Sequence, residues 1–141
     1  SGYYFHVGTG GEGYPYGHML ATGDYCCDGK VLQVLREDIV GGGGDFDAIV
    51  KGAHPTFELD REGALKRNPK GFEQETLYTD YLRLKAFCLV HTPSDDFVCA
   101  DGLPQRAAAI FQSAQPFLNY INRAIEYVKD DTARGKEMLG C

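Results

Sequence analysis

No apolar run in this 141-residue sequence reaches the roughly 20 residues that a membrane-spanning helix requires. No basic, apolar and small-residue leader is visible either, so the usual secretory cue is missing. The cysteines lack C-x-x-C spacing. Cys26, Cys27, Cys88, Cys99 and Cys141 are odd in number, and the adjacent first two are too constrained for an ordinary disulfide. The expectation is reduced thiols in a cytoplasmic protein with no membrane partner. The histidines His6, His18, His54 and His91 show neither H-x-H nor H-E-x-x-H spacing. His6 and His18 could meet with Asp24 across paired strands, yet that trio falls short of a metal assignment. Residues 8–13 are glycine-rich but lack G-K-[ST] and open onto no helix, so they read as a turn rather than a nucleotide cradle. Cys26 or Cys99 beside a histidine would need a lowered thiol pKa, and no nucleophile elbow accompanies them. No catalytic group, cofactor or metal is therefore assigned. Positive charge is also short: 14 Lys and Arg face 20 Asp and Glu, for a net charge of -6 and a pI near 5.1. That balance argues against general nucleic-acid binding, whose main term is phosphate neutralisation.

What is present suits one globular domain over residues 1–141, at 43% hydrophobic and 24% charged. A chain of this length buries roughly two-thirds of its unfolded surface. Tyr3, Tyr4, Phe5, His6 and Val7 read as a strand, residues 8–17 as a loop or hairpin connection, and residues 18–25 as a second strand. Asp28 caps a helix with Val31, Leu32, Leu35 and Ile39 on one face. Four glycines at 41–44 are expected to end it in a left-handed cap. Asp45 begins a short second helix, residues 56–59 are extended, residues 75–82 helical, and residues 84–91 form the clearest strand. An apolar stripe from Leu103 through Ile110, Phe111, Phe117 and Ile121 to Val128 marks a long helix that Pro116 kinks or splits. Residues 130–141 read as a frayed tail. The sum is an α+β domain: an antiparallel sheet covered on one face by helices.

The chemistry concentrates in residues 62–87, EGALKRNPKGFEQETLYTDYLRLKAF, which gather cations against the overall charge. Lys66, Arg67, Lys70, Arg83 and Lys85 could converge on a carboxylate or phosphate if the Pro69–Gly71 turn folds beside the strand. The alternative is structural: Arg83 and Lys85 share one strand face and pair with Glu62, Glu75 or Asp80. Tyr4 and Tyr25, near the glycine loop with Tyr3, Tyr14 and Tyr16, either line a cleft or are half-buried sheet residues with wet hydroxyls. The first functional expectation is a binding domain for a small anionic ligand, held by the basic segment and the Tyr4 and Tyr25 cleft. A purely structural or interaction role is the other reading the residues allow.

LKRNPKGF at residues 65–72, then YLRLKAF at 81–87, resembles a family of unknown function, DUF2461, widespread in bacteria. GYYFHV at residues 2–7 and ATGDYCCDGKVLQVLREDI at 21–39 look like its tyrosine-rich strand and its glycine-aromatic turn with the following helix. The resemblance spans residues 2–128. Family members generally carry a further N-terminal half, so it implies that this chain is the C-terminal part of a longer protein. The missing half would then be a partner, and an enzyme whose active site is shared between halves is the alternative function.

Overall fold

The aromatic run at the start of the chain forms β1 (Gly2–His6), and the computed structural model of the protein describes residues 2–10 and 17–138. β1 pairs antiparallel with β2 (Met19–Asp24), with Tyr4 opposite Ala21. β2 pairs antiparallel with β4 (Phe87–His91), which also takes β3 (Glu58–Leu59) on its far edge. The order β1-β2-β4-β3 leaves β1 and β3 as edges. The expected glycine-rich connection over residues 11–16, with Tyr14 and Tyr16, lies outside the described residues.

Strand alternation divides the sheet into two faces. Leu20, Phe87 and Leu89 turn toward the helices and join Leu35, Ile39, Phe46, Ile110, Phe117 and Ile121 in one core. Phe46 is its centre, edge-on to Tyr81 at 4.9 Å and to Phe87 at 5.8 Å. Met19, Ala21 and Cys88 point the other way and make a small second cluster without helical residues. The helices therefore cover one face, as the sequence pattern indicates.

α1 (Gly29–Gly52) starts at Asp28, whose carboxylate accepts from the Lys30 amide at 2.8 Å. The glycines do interrupt it: Gly42 leaves helical geometry, with φ -152° and ψ 44°, and two helical stretches meet there at a kink, the second taking in the expected Asp45 helix. None of the four glycines is left-handed, so the expected cap is corrected. The reason lies across the interface: a Cβ on Gly43 would stand 2.3 Å from the Tyr78 ring. The glycines seat an aromatic ring against the helix.

Two further expectations change. The helix over residues 75–82 shrinks to α2 (Thr79–Leu82). Threonine hydroxyls take the preceding backbone into a turn instead, with the Thr76 amide donating to Thr79 Oγ1 at 2.7 Å and the Tyr78 amide to Thr76 Oγ1 at 3.1 Å. The strand over 84–91 begins only at Phe87. Arg36 draws the Leu82 and Leu84 carbonyls to its guanidinium at 2.9 and 3.2 Å, away from any strand neighbour.

α3 (Asp95–Cys99) is capped by Ser94. α4 (Leu103–Ser113) and α5 (Gln115–Met138) are the long helix, split at Ala114, with Pro116 in the first turn of α5 where it forfeits no hydrogen bond. Phe111 is half-buried against Tyr3 rather than central. The expected frayed tail is helical to Met138 although exposed from Lys129 onward, and residues 139–141 lie outside the described residues. Among the described residues no helix is long and apolar enough to cross a membrane.

Candidate functional site

The basic segment folds into a loop braced by its own side chains. Pro69 and Gly71 make the turn: the Phe72 amide donates to the Pro69 carbonyl at 3.0 Å, and Gly71 takes φ +92°. That conformation suits a glycine at the third position of a type II turn. The Gly71 amide donates to the Glu73 carboxylate at 2.9 Å, which holds that carboxyl below its usual range. Phe72 is buried and ties the loop to the core.

Asn68 is the hub. Its Oδ1 accepts from Arg83 Nε at 2.9 Å, and its Nδ2 donates to the Glu73 carbonyl and to Glu75 Oε1, both at 3.3 Å. Arg83 reaches Glu75 at 3.6 Å, and the Leu65 amide donates to the Arg83 carbonyl at 2.8 Å. The predicted acidic partner of Arg83 is thus present. Its predicted strand is not: Arg83 caps the end of α2 in helical geometry, and Lys85 precedes β4, so the two do not share a strand face.

Lys66, Arg67 and Lys70 are exposed on this loop, and none has a carboxylate within 4.0 Å among the described residues. Lys85 is likewise exposed. Three cations elsewhere are committed to protein acceptors. Lys51 pairs with Asp47 at 2.7 Å, Arg36 holds two carbonyls, and Arg106 donates to the Phe97 and Ala100 carbonyls at 2.7 Å.

Tyr4 and Tyr25 do come together, in an open groove of about 530 Å³ with Tyr3, Met19 and Gly23. None of the five candidate cations lines it. Tyr25, 59% exposed, also borders a groove of about 580 Å³ containing Glu58, Asp60, Arg61 and His91. The structure therefore splits the predicted set into a basic loop and a tyrosine groove.

The metal trio is not assembled. His18 receives the Gly8 amide at Nδ1 (3.2 Å) and places Nε2 2.7 Å from Asp95. No cluster of three metal-ligating side chains occurs among the described residues. Cys26, Cys27, Cys88 and Cys99 are free thiols. Burial pushes the Cys27 thiol up to about 11 and Cys88 up to about 12, the opposite of nucleophile activation.

Sequence reasoning missed the Tyr81 hydroxyl donating to Asp47, which Lys51 also engages. Burial, then Asp47, raises the Tyr81 phenol to about 12. A four-residue spacing of Asp47 and Lys51 was its one visible sign.

The family model described as "Conserved hypothetical protein (DUF2461)" matches residues 1–120. No curated protein matches the chain, and no solved structure matches it.

Proposed function

The chain belongs to the DUF2461 family, and we propose that it is a binding domain for a small anionic ligand, held by the basic loop. One observation carries this reading: among the described residues Lys66, Arg67 and Lys70 have no carboxylate partner, on a loop whose shape Asn68, Glu75 and Arg83 already fix. A preformed loop loses little freedom on binding, and its cations have no carboxylate to leave among the described residues. A carboxylate or phosphate matches them, with Arg67 offering a planar two-pronged donor and the lysines point charges. Arg83 braces the loop, Lys85 flanks it, and the Tyr4 and Tyr25 groove is separate from the anion. A bacterial cytoplasm, where the free thiols would stay reduced, is the proposed setting.

Phosphate titration in thermal melts tests the reading. At one hundred times Kd, a ligand specific to the folded state adds about 2.7 kcal/mol. The melting temperature should then rise by roughly 5–11 °C, and Lys66→Met with Lys70→Met should remove the rise. Arg83→Met should lower the baseline melting temperature, because it frees Asn68 and Glu75. Equal phosphate shifts in the wild type and the double lysine variant would sink the assignment.

A further inference from the structure

The groove between α1 and α5 is of opposite character to the basic loop. Val34, Asp38, Gly42, Asp45 and Ile49 line it from α1, successive positions three or four apart and hence one helical stripe. The kink at Gly42 falls on that stripe between the two aspartates. Tyr120, Arg123 and Tyr127 line the α5 side, and the space is about 580 Å³. Glu37, Asp38 and Asp45 against Arg123 leave two negative charges uncompensated.

Tyr120 distinguishes this groove from a solvated acidic face. It is only 7% exposed, its ring 5.2 Å from Phe46 in the core. Buried phenols usually find a hydrogen-bond partner. The Tyr120 hydroxyl has none among the described residues, and it opens into the groove where it feels the charges of Asp38 and Asp45. Burial, then those carboxylates, raises it to about 12, so the phenol stays neutral and can accept a proton donor. Burial also holds the Asp38 carboxyl above its usual range even with Arg123 nearby. Arg123 covers the Tyr120 ring at 5.5 Å, whereas the Tyr127 ring is exposed.

We propose that this groove binds a polyamine. Its ammonium groups would meet the Asp38 and Asp45 carboxylates, and one N–H would donate to the Tyr120 hydroxyl. Its methylenes would lie on Val34 and Ile49, and the Tyr127 ring offers a face to the second cation. The acceptors call for a ligand rich in N–H donors, which a quaternary ammonium lacks. A divalent metal fits less well, since the described residues hold no cluster of three metal-ligating side chains.

Isothermal titration of the full chain with spermidine tests this, with magnesium at matched ionic strength as the probe of simple charge screening. The expected result is saturable one-to-one binding that magnesium does not displace. Tyr120→Phe keeps the ring in the core and should weaken binding about tenfold, the scale of one hydrogen bond to a charged group. Asp38→Asn with Asp45→Asn should weaken it further, while Asp130→Asn with Asp131→Asn, on the exposed end of α5, should leave it unchanged. Circular dichroism checks each variant's fold, and if Tyr120→Phe unfolds, the aspartate pair decides. The proposal is overturned by absence of saturable heat, by full displacement with magnesium, or by equal losses in the Asp38/Asp45 and Asp130/Asp131 variants.

Discussion

Gly23 of β2 faces Cys88 of β4. Its φ of +135° is strained for any side chain, and a Cβ there would lie 2.1 Å from the Phe87 carbonyl oxygen. Backbone has nowhere to yield between two paired strands. Gly23→Ala should therefore cost about 3 kcal/mol or more in denaturant melts, from dihedral strain and overpacking together. A loss below about 1 kcal/mol would mean that the strands are not so closely apposed. His91 supplies a pH signature at the same scale. Burial, then the nearby charge of His54, lowers its pKa below the ordinary imidazole value. An unfolded imidazole titrates at about 6.5, so just below that pH the unfolded chain holds more protons than the folded one. The contribution of His91 is thus complete above about pH 6.5 and is lost as pH falls through the folded value. His91→Gln should flatten that part of the stability profile between roughly pH 5 and 7. Superimposable pH slopes for variant and wild type would refute it.

Where an element buries little, an arginine ties it to its neighbours. α3 buries no side chain fully, yet Arg106 of α4 donates to the Phe97, Ala100 and Asp101 carbonyls and stacks on the Phe97 ring at 4.5 Å. Arg106→Ala should raise amide exchange in α3 by about tenfold or more, since each lost bond is worth about 1 kcal/mol. Amides of α5 near Phe117 and Ile121 should keep their protection. Uniform loss across both helices would mean that Arg106 stabilises the whole fold rather than one corner. Such links also mark what was legible in the sequence. The Asp28 cap, the pairing of β1 with β2 and the break near Pro116 rest on local chemistry, and all could be read from neighbouring residues. Gly43 was misread because its reason, the Tyr78 ring, lies 35 residues away in the sequence. The extent of β4 was misread because Arg36 claims the carbonyls before it. Periodicity carries faces and ends, but not which carbonyl a distant guanidinium will take. For the site, the Asn68–Pro69–Lys70–Gly71 turn was legible, while the separation of Tyr4 and Tyr25 from the cations was not.

At the scale of the molecule, charge is sorted rather than spread. A chain of net charge -6 exposes Lys66, Arg67 and Lys70 on one braced loop, while carboxylates gather along the α1–α5 groove. Such sorting has physical consequences beyond stability, because a local field recruits ligands of the opposite sign even when the net charge would repel them. The loop and the groove should accordingly respond to different ligands and to different substitutions. The central claim is that the loop takes anions, and amide chemical-shift mapping by NMR during a phosphate titration tests it most directly. Saturable shifts should be confined to residues 66–71 and their bracing partners Asn68, Glu75 and Arg83, and they should vanish in the Lys66→Met, Lys70→Met variant. Shifts that never saturate, or that are spread evenly over the surface with the loop no different from its surroundings, would contradict the account.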